Sequence, residues 1–413
     1  MYEPSHKNPY APLKIPEFQI FIAGRCIYIM AIRMTGTAIG WWMYLLTNSK
    51  LALGFVGLSE VIPALSFALY AGHHIDRTEK RKLLLKNVWF YALCTAVLIF
   101  LSSKFANSLM HHWTIAVLIC LVVGGGGVIR AFSGPTFSAM ISQVAPKEML
   151  PSAAAISSAG WLMASIIGHA TGGFAIAYLG INYTFVLVLV LVLLALLCFS
   201  KLKPKPAFVT ATKNTWQSVK EGLRYVYKTK ELLGALTLDL FAVLFGGAVA
   251  LIPVFAKDIL FVGPVGFGWL NAAADIGSII TVTLLTISPL RGKQGRKLFF
   301  AVGAFGVCII LFALSKVFWL SFAALLISGS MDGFSVIVRG TILQLKTPDE
   351  LRGRVASVNS MFINSSNELG QFESGVAAKI MGTVPAVIFG GAMTIAVVIT
   401  TWFKAPALRK MEY

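Results

Sequence analysis

Long apolar runs alternate with short polar links along almost the whole chain. Most runs approach or exceed the roughly 20 residues that an α-helix needs to cross a bilayer. The pattern predicts an all-α membrane protein with twelve transmembrane helices in two pseudo-symmetric six-helix bundles. The predicted spans are residues 18–46, 51–71, 83–102, 113–134, 150–178, 182–200, 232–256, 265–289, 297–315, 317–342, 355–381 and 384–403.

The links between the runs differ in charge. Links after odd-numbered spans, such as residues 47–50, are short and nearly uncharged, whereas links after even-numbered spans carry Lys and Arg. On this topology about 26 of the 35 Lys and Arg residues fall on one side of the membrane. Because basic loops stay in the cytoplasm, we expect both termini there, in the inner membrane if the source is bacterial.

The longest polar stretch, residues 201–231, lies in the middle of the chain. Its second part has Trp216, Val219, Leu223 and Val226 at helical spacing, with basic residues on the other face. Such a helix would either lie on the anionic inner leaflet or pack on the bundle as an ordinary linker helix. The predicted domains are a tail at 1–17, a bundle at 18–200, the linker at 201–231, a second bundle at 232–403 and a tail at 404–413.

A weak internal repeat relates the two halves. Pro146 follows the fourth span and Pro348 follows the tenth, each ahead of a charged helix start, and they stand 202 residues apart. Two six-span halves related by such a repeat resemble the architecture of major facilitator transporters, and this resemblance implies a substrate site between the halves near the bilayer midplane.

The composition excludes several classes of protein. Hydrophobic residues make up 57% of the chain and charged residues 13%, about half the charged share of a soluble domain. The net charge of +18 therefore reflects basic loops at a membrane face, and we predict no nucleic-acid partner. The five cysteines lie in apolar runs without a CxxC pair, which indicates packing residues rather than disulfides or metal ligands.

Motifs for other chemistry are absent from the sequence. It contains no Walker A motif, no HExxH and no recognisable nucleophile elbow. We therefore predict that the chain is not an enzyme and has no catalytic residue, no cofactor and no metal site.

The most informative link is residues 72–82, Gly-His-His-Ile-Asp-Arg-Thr-Glu-Lys-Arg-Lys, between the second and third spans. It resembles the G-x-x-x-D-R-x-G-R/K-R/K signature of the major facilitator superfamily, with Glu79 in place of the second glycine. The resemblance implies a transporter fold in which this turn acts as a cytoplasmic latch between conformations. The predicted latch residues are Gly72, Asp76, Arg77, Arg81, Arg130 and Arg339.

Ionisable and amide side chains inside the spans are candidates for a transport pathway or for proton coupling. A carboxylate whose partner changes between conformations could carry a proton, because burial and a nearby arginine shift its pKa in opposite directions. The alternative is that these residues form structural ion pairs. The candidates are Arg25, Arg33, Glu60, Asp239, Asp275, Asn364, Asn367, Glu368, Gln371 and Glu373.

Within this set the eleventh span stands out. Asn364, Asn367, Glu368 and Gln371 fall at i, i+3, i+4 and i+7, so they share one helix face. The pattern predicts either a cavity wall or hydrogen bonds between helices. For protons we favour Asp239, Glu368 or Glu373, and for an anionic substrate group Arg25 and Arg33.

The fifth span contains Gly168-His169-Ala-Thr-Gly172-Gly173, which resembles the exporter-associated G-P-x-x-G-G signature with His169 in place of proline. A hydrogen-bonded histidine inside the bundle and a titrating histidine are both compatible with this position.

The strings Pro253-Val-Phe-Ala-Lys-Asp258 and Gln344 to Val355 are similar to the enterobactin-exporter-like branch, grouped with the third drug:proton antiporter family. That similarity implies export of an amphipathic siderophore or drug, for which we favour an anion, in exchange for protons. The expected partners are this small-molecule substrate, protons and the lipid bilayer, with the protein as a monomer. A proton- or sodium-coupled uptake symporter, a lysolipid flippase, a divalent-metal exporter and a non-transporting receptor remain alternatives.

Overall fold

The computed structural model describes residues 10–205, 215–288 and 292–412; within its helices only the backbone is described at Leu69, Gly72, His73, Asp76, Arg77, residues 215–218 and Asn364. These described residues are almost entirely helical and contain no strand. The helices are α1 Pro16–Thr47, α2 Lys50–Arg77, α3 Lys80–Leu101, α4 Lys104–Leu109, α5 His112–Val144, α6 Leu150–Ser200, α7 Thr215–Lys228, α8 Lys230–Gly246, α9 Ile252–Val254, α10 Gly263–Ile287, α11 Gln294–Leu314, α12 Phe318–Lys346, α13 Asp349–Met381, α14 Thr383–Lys404 and α15 Pro406–Arg409.

The all-α membrane fold is confirmed, while the count of twelve spans stays a prediction. Ten segments of the described residues are long and apolar enough to cross a membrane. Helix α6 counts once although its 51 residues would be roughly 77 Å long, against a hydrocarbon core of about 30 Å. Gly180 interrupts it with φ of +79°, at the predicted gap between two spans. Helix α13 is not among the ten, because polar residues lower its hydropathy.

Helices α1 to α6 pack together as one half, and α8 to α14 pack together as the other. The two halves meet mainly along two seams. Helix α2 packs against α13 in the first seam, and the part of α6 before Gly180 packs against α10 in the second.

Both seams are closed by glycine contacts at the same end of the bundle. A Cβ on Gly375 of α13 would lie 2.7 Å from the Cα of Gly54 in α2, and a Cβ on Gly268 of α10 would lie 2.9 Å from the Cα of Gly173 in α6. We call this end, opposite the start of α1 and the end of α14, the distal end. The end that holds those termini is the terminal end.

Towards the terminal end, α13 exposes a polar stripe that includes Ser357, Ser360 and Asn367. Polar side chains in a membrane helix are disfavoured against lipid, so this stripe indicates a water-accessible cleft between the halves. The halves are therefore in contact at the distal end and separated at the terminal end.

Candidate functional site

An arginine on α5 joins the two halves near the middle of the membrane-spanning region. The Nη1 atom of Arg130 lies 2.7 Å from Oε1 of Glu60 on α2 and 2.5 Å from Oε1 of Glu368 on α13. The amide of Gln371 donates a further hydrogen bond of 2.7 Å to Glu368 Oε2. All three charged residues lie in the middle third of their helices. We call Arg130, Glu60, Glu368 and Gln371 the Arg130 network.

A close helix crossing positions this network. A Cβ on Gly127 of α5 would lie only 2.2 Å from the carbonyl oxygen of Glu60, so only glycine lets α5 and α2 approach this far. Arg130 follows Gly127 by three residues and therefore lies one turn away on nearly the same face. The backbone crossing thus brings the guanidinium to Glu60.

The Arg130 network holds two carboxylates on one nitrogen. The Glu368 side chain is 9% exposed, whereas those of Glu60 and Arg130 are 30% and 39% exposed. One guanidinium balances one of the two negative charges, so binding of a single proton would neutralise the trio. Glu368 belongs to one half and the other two charged residues to the other, so separation of the seam must break the Arg130–Glu368 bond.

The second seam carries another polar cluster, formed by Asp275 of α10 with residues of α6 and α1. Its charged groups lie farther apart than those of the Arg130 network. Ser165 donates to Asp275 Oδ2 over 2.5 Å, and His169 Nε2 lies 3.8 Å from the same oxygen. The other ring nitrogen of His169 lies 2.9 Å from the hydroxyl of Thr37. The second seam therefore also joins the halves, with a histidine in place of the arginine.

Arg33 on α1 lies between the two seams. Its guanidinium is close enough to interact electrostatically with Glu368 in the first seam and with His169 and Asp275 in the second. Its Cζ lies 5.0 Å from the ring centroid of Trp161, a cation–π contact, and no described carboxylate is within ion-pair distance. Arg33 is thus a cation next to the cleft that has an aromatic neighbour rather than a bonded anion.

A third ionic cluster lies wholly within the half formed by α8 to α14. Arg339 of α12 forms an ion pair with Asp239 of α8, and both side chains are at most 7% exposed. Its Nε also donates to Ser335. A small cavity beside the pair is lined by Asp239, Asp332, Ser335 and apolar side chains. Because its bonded partners share one half, this cluster does not join the halves.

The remaining pathway candidates lie apart from these networks. Arg25 is half-buried with its Cζ 5.5 Å from the Phe137 ring, inside the half formed by α1 to α6. The Asn367 amide donates to its own helix, at the Ile363 carbonyl. Glu373 shares a helix stripe with Leu369 and Ile380, which are 37% and 77% exposed, and forms no ion pair with a described residue. The Asn364 side chain lies outside the described residues.

The latch candidates are divided. Gly72, Asp76 and Arg77 lie among the residues for which only the backbone is described. Arg81 donates to the carbonyl oxygen of Ser200 over 2.6 Å and so caps the end of α6. Arg130 and Arg339 are each bonded to carboxylates on other helices.

Two polar contacts between the halves involve residues that are absent from the sequence-based candidate list. Ser165 donates to the candidate Asp275, and the Tyr44 hydroxyl of α1 donates to Asp258 at the distal end. Thr37 contacts His169 within one half. Asp258 had a visible signal, a carboxylate at the end of an apolar run. Hydroxyl groups in apolar helices give no comparable signal, because they also bond to their own helix.

A divalent-metal site needs several ligands close together. Among the described residues no three His, Cys, Asp or Glu side chains lie close enough to hold a metal ion.

Comparison with known proteins places the chain among transporters. Residues 7–413 match a family model described as transmembrane secretion effector, in the major facilitator superfamily. The chain is 25% identical over 361 residues to the multidrug efflux pump Tap of Mycolicibacterium fortuitum, covering 83% of this chain and 84% of that protein. It is also 25% identical over 350 residues to the enterobactin exporter EntS of Shigella flexneri, covering 82% and 80%.

Solved structures show the same fold at low sequence identity. A mutant of the nucleoside transporter NupG superposes with a TM-score of 0.74 at 12% identity, over 94% of this chain and 99% of that one. A POT family transporter in complex with 5-aminolevulinic acid gives a TM-score of 0.71 at 11% identity, over 95% and 96%.

Proposed function

Because the chain belongs to the transmembrane secretion effector family of the major facilitator superfamily, it is a secondary transporter of the export type and not an enzyme, and we propose that it exports an amphipathic small molecule in exchange for protons. The observation that carries this proposal is the Arg130 network, in which two carboxylates from different halves bind one guanidinium nitrogen.

The proposed proton site is the pair Glu60 and Glu368. With both carboxylates ionised, Arg130 bonds to each of them and holds α2 against α13 at mid-membrane. A proton on Glu368 removes the charge from the bond that crosses the seam, which weakens it and favours separation. With the distal end open, Glu368 is separated from Arg130 and takes up a proton from the distal side. When the distal end closes, re-formation of the Arg130–Glu368 bond favours the ionised carboxylate and releases the proton into the terminal cleft, opposite in direction to the exported substrate. Asp239 and Glu373 are less suitable, because neither has a partner across a seam.

The substrate site in this proposal is the cleft next to Arg33 and Trp161. The guanidinium is free to bind an anionic group, and the indole ring offers an apolar surface for an aromatic or aliphatic part. A siderophore-like or drug-like anion fits this pair of contacts. The relatives Tap and EntS are named as a multidrug efflux pump and an enterobactin exporter. A cationic amphiphile is the competing substrate, because carboxylates outnumber arginines in the two seams.

In the proposed topology the protein is a monomer in the inner membrane. Both of its termini lie in the cytoplasm. The cleft at the terminal end then opens to the cytoplasm. Substrate enters there, and rocking of the halves about the midplane exposes it on the distal side.

Transport by reconstituted protein tests the proposal. Proteoliposomes with a pH gradient are given a fluorescent anionic amphiphile, anilinonaphthalene sulfonate, or a cationic one, ethidium. We expect movement of the anionic probe against proton flux, lost on collapse of the gradient and in Arg33→Gln. Transport of ethidium alone would transfer the proposal to cationic substrates, whereas movement of either probe together with protons would contradict antiport.

A further inference from the structure

Helix α7, in the linker between the halves, has two different faces. Its inner face is docked on the second half, through the buried side chain of Val226, an ion pair of Glu221 with Arg354 of α13, and a hydrogen bond from Tyr225 to the Lys346 carbonyl at the end of α12. Through these described side chains, the linker helix α7 therefore packs on the bundle.

The outer face of α7 remains uncovered. Lys220, Arg224 and Lys228 recur every fourth residue along it, and all three are exposed. Leu223 and Tyr227 flank this basic row and are 39% and 69% exposed. None of the three basic side chains forms an ion pair with a described residue.

The position of α7 fixes the surroundings of this face. Only Thr229 separates the end of α7 from the start of α8, and the segment from Lys230 to Ile259 is long and apolar enough to span a membrane. Helix α7 must therefore lie at the membrane surface on the terminal end. The acidic residue Glu221 is turned inwards to Arg354, so the outer face presents positive charge.

We propose that the outer face of α7, formed by Lys220, Leu223, Arg224, Tyr227 and Lys228, binds anionic lipid headgroups of the leaflet at the terminal end. Cationic side chains near a bilayer attract acidic phospholipids, and Leu and Tyr insert at the boundary between headgroups and acyl chains. An acidic protein would satisfy the same charges, but it would leave Leu223 and Tyr227 without an apolar phase. The one-residue connection to a span also keeps the face at headgroup level.

Lipid binding here bears on the conformation of the transporter. Helix α7 contacts the start of α13, which carries Glu368, and also touches α2 of the other half. A bound anionic leaflet thus holds the linker at the point where the two helices of the first seam reach the terminal end.

Hydrogen exchange of the full-length protein in nanodiscs tests this inference without any transport substrate. Amide exchange over residues 215–228 is followed as phosphatidylglycerol replaces phosphatidylcholine in steps. We expect protection that rises with phosphatidylglycerol. In the triple variant Lys220→Gln/Arg224→Gln/Lys228→Gln, we expect at least about tenfold more phosphatidylglycerol to be needed, given roughly fivefold in affinity for each basic residue near the surface.

A variant with the same charge change elsewhere on the terminal end is the control. Lys147→Gln/Lys201→Gln/Lys410→Gln removes three exposed lysines outside α7 and should retain the protection. Equal protection in pure phosphatidylcholine, or full phosphatidylglycerol dependence in the α7 variant, would overturn the inference. So would protection that responds to an added acidic polypeptide and not to lipid. None of these results depends on whether the protein exchanges substrate for protons.

Discussion

Arg130 and Arg339 both balance carboxylates inside membrane-spanning helices, but they bind different parts of the molecule. Arg339 pairs with Asp239 of its own half, and its side chain is 5% exposed. Arg130 binds one carboxylate from each half, and its side chain is 39% exposed. A pair within one half can persist while the halves rock, whereas a bond across the seam must break. Location relative to the seam therefore separates a structural arginine from one suited to coupling.

The internal repeat sharpens this comparison. Asp332 follows Arg130 by 202 residues, the same interval that separates Pro146 from Pro348. The repeat thus places an arginine at this level in one half and an aspartate in the other, where it lines the cavity beside Arg339. The two halves therefore share a backbone plan but differ in side-chain chemistry at a matched position.

The largest effect should follow from breaking the pair within one half. Arg339→Met leaves Asp239 buried without its cation, and loss of one partner of a buried pair costs about 3–5 kcal/mol. We expect a large fall in the thermal unfolding temperature of the detergent-solubilised protein. The double variant Asp239→Asn/Arg339→Met should recover most of it. If the double variant recovered neither the unfolding temperature nor the expression level, the pair would have a role beyond charge balance.

Replacement of the seam arginine should affect transport more than stability. Arg130→Met leaves Glu60 and Glu368 unpaired, but partial exposure lets water solvate Glu60, so we expect a cost of about 1.5–3 kcal/mol. Probe export by proteoliposomes should fall at least about tenfold, the effect of losing roughly 1.4 kcal/mol at a required step. If Arg130→Met transported normally while Arg339→Met did not, the assignment of roles would be reversed.

The glycine contact at the distal end offers a smaller and purely steric test. A Cβ at Gly375 would meet the backbone of Gly54 at 2.7 Å, so Gly375→Ala should push the seam apart at a cost of about 1 kcal/mol. We expect a cysteine introduced at the distal end, such as Lys50→Cys, to become more accessible to a membrane-impermeant thiol reagent. Gly340→Ala is the matched control, because a Cβ there has nothing within 4 Å.

The smallest effect is expected at the second seam. His169→Gln keeps a polar side chain near Thr37 and Asp275, so only one neutral hydrogen bond of about 0.5–1.5 kcal/mol is at risk. Probe export should change no more than about threefold. Complete loss of pH-driven export in this variant would move the proton site from the first seam to the second.

The sequence was sufficient to predict the helices and the charged candidates, but not their pairing. Glu60 and Glu368 lie 70 and 238 positions from Arg130, and helical periodicity indicates a face without indicating which helix it meets. Periodicity was more informative for Glu373. It follows Glu368 by five residues, which turns it about 140° away around the helix.

The helical pattern also explains the ambiguous span count. Gly180 breaks α6 by its dihedral angles alone, while the apolar sequence continues on both sides. The polar residues predicted to form a cavity wall or interhelical hydrogen bonds on α13 are the same residues that lower its hydropathy. A predicted span that carries candidate site residues can therefore be the one that composition identifies least well.

The central claim is that protonation of Glu60 and Glu368 controls the first seam. The most direct measurement is the distance between spin labels at Lys50→Cys of α2 and Ile380→Cys of α13, at the distal end, at neutral and acidic pH. The account predicts a short distance at neutral pH that lengthens on acidification, and a distance independent of pH in Glu60→Gln/Glu368→Gln. A wild-type distance that ignores pH, or a double variant that responds as the wild type does, would contradict it.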